Sequence, residues 1–223
     1  MNQSFNIMKM HLRTKFTLIY LPVIIMLFSF SINLIIANAT NPKEGIYTGG
    51  IASIYIYIMI IGAFIIKETF PFSIGMSVRR ADYFWGTLYM IVLVTICDAI
   101  ILNILNLIET MTNHWGLNLH FFNLPYLNDG PIWQQIFIQF SILFHLFYLG
   151  FFSSSVHRRF GKKGLIVLMF ITGIIASVIT LLNLAPLFHW FAQHTAFQLS
   201  LWLIPFTFFY IIISYLFLRR ATV

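Results

Sequence analysis

The residues in this chain that could do chemistry are few, and most of them lie inside long apolar runs. Asp98 and His145 sit near the middle of two such runs. If the runs are antiparallel helices, Asp98 and His145 fall at one depth, and Asn103 and Gln139 match one turn further out. Thr95, Asp98, Asn106 and Glu109 share one stripe at helical spacing, and Gln134, Ser141, His145 and Tyr148 share another. An acid at the centre of a bilayer costs roughly 2.5–3.5 kcal/mol, so it should face protein and find a partner. The expectation is that the two stripes face each other as a buried polar seam of Asp98, Asn103, Gln139 and His145. Such a seam is either a set of interhelical hydrogen bonds or a path for cargo or protons.

Other chemistry has little support. Gly161-Lys162-Lys163 lacks the upstream glycine and the hydroxyl of a phosphate-binding loop. Motifs of serine hydrolases and zinc peptidases are missing, and Ser153-Ser154-Ser155 reads as a helix end near Arg158. The seven histidines include no His-x-x-x-His pair, and His189 and His194 stand five apart, so no metal site is expected. No catalytic or cofactor-binding residue is assigned. Cys97 is the single cysteine, so no intrachain disulfide forms.

The elements that must position these residues are legible from composition. The chain is 60% hydrophobic and 9% charged, against about 25% charged in soluble domains. Apolar runs at residues 16–39, 49–66, 84–108, 132–156, 164–184 and 196–218 each approach the ~20 residues that cross a bilayer. Residue 16–39 is too long for the core of a secretory signal. Threading the six runs alternately puts Lys9, Arg13, Lys15, Lys67, Arg79, Arg80, Arg158, Arg159, Lys162, Lys163, Arg219 and Arg220 on one face, with Lys43 alone opposite. Short cationic loops stay in the cytoplasm. The chain therefore reads as one all-α transmembrane domain, residues 1–223, with six spans and both termini cytoplasmic. The net charge of +7 is explained by this topology, and no nucleic-acid partner is expected.

Ahead of the first run, Phe5, Met8, Leu12 and Phe16 form an apolar stripe suited to a helix lying in the headgroup layer, with Ser4 as its cap. Residues 185–195 are too apolar for a solvated loop and read as a short re-entrant segment before the last span, which Pro205 should kink. The most unusual stretch follows the second run. Phe70, Phe72, Ile74, Met76 and Val78 stand in a short loop of the cationic face, where something must bury them, and a protein partner is the economical choice. Phe70-Pro71-Phe72 should end the preceding helix, and Ser77 should cap a helix that begins near Arg79.

With its Phe-Pro-Phe start, the Gly75-x-Ser77-x-Arg79-Arg80 run and Asp82 followed by aromatics, the chain resembles the ABC-2 type permeases, membrane subunits of small Gram-positive ABC exporters. The resemblance covers the whole architecture. It implies that Phe70, Pro71, Phe72, Ile74, Met76, Val78, Arg79, Arg80 and Asp82 belong to a cytoplasmic coupling helix docked on a separate ATP-binding subunit. Two copies of that subunit would hold ATP and Mg, and the chain itself would bind no cofactor. The resemblance further implies pairing with a second permease, residence in the bacterial plasma membrane, and export of an amphipathic peptide, drug or lipid-like cargo. Two other readings stay open: a proton-coupled secondary transporter using Asp98 and His145, and an intramembrane enzyme.

Overall fold

The computed structural model describes residues 3–40, 45–128, 130–181 and 185–221. Seven helices account for most of them: α1 (Gln3–Arg13), α2 (Phe16–Thr40), α3 (Ala52–Gly75), α4 (Arg80–Met111), α5 (Ile132–Leu181), α6 (Ala185–Gln193) and α7 (Ala196–Arg219). Two short strands, β1 (Ile46–Tyr47) and β2 (Leu119–His120), pair in parallel. Five helices, α2, α3, α4, α5 and α7, are long and apolar enough to cross a membrane. The chain thus has the build of an all-α membrane protein. Lys43 and the end of the expected fifth run, residues 182–184, lie outside the described residues.

Helix α5 is 50 residues long, about 75 Å at 1.5 Å per residue, more than twice a ~30 Å hydrocarbon core. Its backbone leaves helical geometry at Gly161 (φ 67°, ψ −160°), a conformation open to glycine and closed to residues with a Cβ. Gly161 divides α5 into two arms, 132–160 and 162–181. Phe152 and Phe160 of the first arm line one cavity with Val167 and Ile171 of the second, so the chain turns back at this glycine. The second arm is exposed along almost its whole length.

The first arm of α5 is the centre of the bundle, packed between α3 and α7 and also touching α4. Its crossing with α3 has no room for side chains. A Cβ on Gly150 would lie 2.1 Å from the Met59 carbonyl oxygen, and one on Gly62 would lie 2.1 Å from that of Phe147. Close backbone approach at small residues is the usual way apolar helices gain dispersion energy where lipid competes equally for apolar surface. On the other side, Ser155 gives its proton to the Phe152 carbonyl and accepts from the Ser214 hydroxyl of α7 over 3.4 Å, and Phe84 of α4 packs edge-on against Phe151 and Tyr215.

Helix α1 lies across the start of α4. The expected stripe is not the one it buries against protein: Phe5 and Phe16 are exposed, while Ser4, Ile7 and His11 face inward. Ser4 does not cap α1 either, because it sits within the helix and its hydroxyl donates to Asp82 Oδ1 over 2.9 Å. Thr87 Oγ1 gives its proton to the Tyr83 carbonyl, so it accepts from His11 Nε2–H at 3.1 Å. Burial holds the His11 imidazole down at about 4, from an ordinary 6.5. Below pH 6.5 an undocked α1 takes up a proton that the docked helix refuses. Docking therefore weakens as pH falls from 6.5 to 4, by about 3 kcal/mol in all. Hydrogen exchange over residues 3–13 should accelerate on going from pH 7 to pH 4.5, after correction for intrinsic rates. His11→Gln should remove that excess; equal acceleration in the variant would assign it to other groups.

Candidate functional site

The corner between α3 and α4 differs from the sequence expectation in three ways. Helix α3 does not stop at Phe70-Pro71-Phe72 but runs through Pro71 to Gly75. Proline removes one backbone bond, to the carbonyl of Lys67, and Lys67 is exposed so that water can reach it. Thr69 and Ser73 hydroxyls bond the carbonyls of Ile65 and Thr69 around the same turn. Ser77 is not a cap of the next helix. It takes the left-handed position (φ 61°) of a turn that closes α3, in which Val78 N–H bonds the Ser73 carbonyl at 3.1 Å and Ser77 N–H bonds that of Ile74 at 2.9 Å. Helix α4 then starts at Arg80 with Arg79 before it and no side-chain cap. The expected coupling element is therefore the last turn of α3 plus a tight turn, not a separate helix.

The third difference is Phe70. It is fully buried, its ring edge-on to Tyr83 of α4 at 5.1 Å and covered by the Arg158 guanidinium of α5 at 5.4 Å. Thr69 and Tyr83 hydroxyls also share a bond of 2.8 Å. Phe70 thus locks the tip of α3 to two neighbours and is not a contact surface. Phe72 and Met76, four residues apart on one face of the same turn, are 59% and 64% exposed. Pro71, Ile74 and Val78 are half-buried, and Ile74 and Val78 rest on the core. Arg79 is exposed, and Asp82 accepts from Ser4 in the first turn of α4, where a negative charge suits the helix dipole. Arg80 Nη1 donates to the Arg219 carbonyl over 3.1 Å, and Arg159 donates to that of Arg220. These contacts gather the cationic ends of α3, α4, α5 and α7 at one end of the bundle.

The polar seam is only partly assembled. His145 does not meet Asp98: its Nδ1–H bonds Thr207 Oγ1 of α7 at 2.9 Å, and Thr207 passes its own proton to the Leu203 carbonyl. Gln139 accepts from the Tyr55 hydroxyl of α3. The α4–α5 bond that does form runs from Asn106 Nδ2 to Gln135 Oε1, 3.2 Å. Asn103 donates to the Ala99 carbonyl, while Asp98 Oδ2, Asn103 Oδ1 and Ser141 Oγ are buried with no hydrogen-bond partner among the described residues. The first arm of α5 is wedged between α3 and α7, so its polar residues divide between those helices instead of all facing α4.

Sequence reasoning missed the role of Glu109 at the opposite end of the bundle. Its buried carboxylate accepts four N–H groups: Oε2 from Trp115 Nε1 (3.1 Å), Phe121 N (3.2 Å) and Phe122 N (2.8 Å), and Oε1 from Asn123 N (3.1 Å). The loop reaches this position through four successive residues of positive φ, Asn113, His114, Trp115 and Gly116 (52°, 55°, 62° and 68°), and a fifth at Asn118. His114 and His120 are brought together, ring centroids 3.9 Å apart. Tyr47 of β1 stacks on His120 at 4.3 Å, and Phe30 of α2 packs on Trp115, Phe121 and Phe122. Burial lowers the His120 pKa, His114 adds to the effect, and Glu109 and the Asn123 backbone oppose it. The available sequence signal was an acid at a helix end followed by Asn113, Gly116 and Asn118, residue types that tolerate left-handed backbone.

Beside this cap, α5, α6 and α7 enclose an apolar cavity of about 470 Å³ lined by residues including Leu127, Ile138, Ile142, Trp190, Trp202 and Phe206. No protein-family model matches the chain, and no match is found among curated proteins or among solved structures.

Proposed function

We propose that the chain is the membrane subunit of an ABC-2 type exporter, driven by a separate ATP-hydrolysing subunit that docks on the α3–α4 corner. In this reading the two arms of α5 are separate spans, giving six, and the cationic end with both termini lies in the cytoplasm. Two such subunits pair, each bound to one ATPase that carries ATP and Mg.

The observation that carries the reading is the corner itself. Phe72 and Met76 protrude beside Arg79 from a turn that the rest of the structure holds rigid. Exposed apolar anchors rimmed by a cation suit a groove on a partner protein. Phe70, clamped by Tyr83 and Arg158, ties a push on these anchors to α4 and α5, and the glycine crossing ties α3 to α5 along its middle. Such a corner delivers rigid-body motion instead of absorbing it. The apolar cavity near α6 is large enough for the hydrocarbon part of an amphipathic cargo. His145 is engaged with Thr207 and not with Asp98, so a proton-coupled secondary transporter would have no ready Asp–His pair.

The test is co-purification of ATPase activity with the detergent-solubilised chain from its native membranes. Wild type is expected to recover it, and Phe72→Asp/Met76→Asp to recover at least tenfold less with an unchanged gel-filtration profile, since both side chains are outside the core. Equal recovery from both proteins, or none from either, would overturn the proposal.

A further inference from the structure

We infer that the cap over the end of α4 is a binding site for a divalent transition-metal ion of the zinc type, held by Glu109, His114 and His120. One ligand atom from each of the three residues lies within 4.8 Å of the others. Imidazole nitrogens with one carboxylate oxygen are a donor set that favours zinc, nickel or copper over calcium or magnesium. The number of ligands suits an open tetrahedral site, three from protein and one from water.

Three features make this a built site. Glu109 Oε2 already accepts three N–H groups, whereas Oε1 accepts only that of Asn123 and keeps a lone pair on the side of His114. That is the support expected behind a ligating carboxylate, whose orientation is fixed by hydrogen bonds of its own. His114 Nδ1 stands 3.7 Å from Oε1, too far for a hydrogen bond, and it is buried with no other partner among the described residues. A buried polar nitrogen standing beside a carboxylate at that distance is what a shared cation resolves. Thirdly, the left-handed run through His114 spends backbone strain to bring the imidazole here, while stacking on Tyr47 and the β1–β2 pairing fix the His120 ring.

Bonds of about 2.0–2.2 Å require ligand atoms roughly 3.3–3.5 Å apart in a tetrahedron, so the rings must close by up to about 1.5 Å. His114, its side chain 23% exposed, has the freedom to move, and the opening it leaves admits the fourth ligand. The α4 terminus, the loop after it and, through β2, the loop before α3 are then fastened at one point.

The experiment uses the full chain in detergent, stripped with chelator and titrated with zinc and with cobalt, the latter for its tetrahedral visible absorption. Wild type is expected to bind one ion per chain and to show that absorption. His120→Ala and His114→Ala should each bind at least tenfold more weakly and lose the cobalt signal. His189→Ala/His194→Ala, which removes the other histidine pair near this end, should bind as wild type. Equal affinity in all four proteins, loss only in the last variant, or no binding by wild type whose gel-filtration profile is intact would each overturn the inference.

Discussion

Gly150→Ala is expected to be among the most damaging single substitutions in the chain, although it adds one methyl group to a membrane helix. The new Cβ would stand 2.1 Å from the Met59 carbonyl oxygen and 2.8 Å from Ala63 N. Both are backbone atoms, so no side chain can rotate away and the two helices must separate. Overpacking usually costs 1–3 kcal/mol. Here the separation also forfeits dispersion along the whole α3–α5 seam, and about 3 kcal/mol or more is expected, a large part of an ordinary stability of 5–15 kcal/mol. Gly62→Ala should behave alike, because its Cβ would meet Phe147 O at 2.1 Å. The double variant should cost less than the sum of the two, since helices already parted by one methyl have room for the other. Gly173→Ala on the second arm of α5, where a Cβ meets nothing within 4 Å, should be neutral or slightly stabilising. Thermal unfolding of the four purified variants measures all of this. A fully additive double variant would mean that the two glycines act at separate places.

Glu109→Gln should open the cap while leaving the helices in place. A carboxylate can accept on both oxygens, but an amide offers one oxygen and one N–H₂. With the amide oxygen turned to the three donors from Trp115, Phe121 and Phe122, the N–H₂ group faces the Asn123 N–H, donor against donor. Turned the other way, it faces three. Each buried donor left unpaired costs roughly 1–3 kcal/mol, and the left-handed run at Asn113, His114 and Trp115 loses what holds it. A local destabilisation of about 3–5 kcal/mol is expected. Amides of Phe121, Phe122 and Asn123 should exchange far faster by mass spectrometry, with those of α3 and α7 unchanged. Uniform acceleration through the chain would show that the cap is part of the global fold and not a separate unit.

The helices were the part of this structure that sequence disclosed best. Apolar length is a direct readout of a bilayer-sized helix, and the runs expected at 84–108 and 196–218 fall within the helices at 80–111 and 196–219, whereas the run expected at 49–66 is a helix that continues to residue 75. Partners were harder to read. The place of His145 within a long helix was foreseeable, but its rotation toward Thr207 depends on α7 packing against the first arm of α5, which no local pattern encodes. Pro71 looked like a helix end because proline costs a hydrogen bond, yet an exposed carbonyl with Thr69 and Ser73 nearby makes that loss small. Phe70 and Phe72 are alike as letters and opposite in fate, one locked in the core and the other in the open. Glu109 was legible as an acid on a polar stripe, while its four donors arrive only after the chain has folded back through left-handed residues.

The fold-back at Gly161 sets an order of events during synthesis. The first arm of α5 leaves the ribosome with the His145 imidazole unmatched, because its partner Thr207 belongs to α7. The second arm follows and does not supply one, being exposed along almost its whole length. A nascent chain halted before α7 therefore holds an unpaired imidazole in the middle of an apolar helix, where an unsatisfied polar group is costly. Completion of the last helix is the step that releases it from that state, and a truncated product remains a recognisable target for membrane quality control.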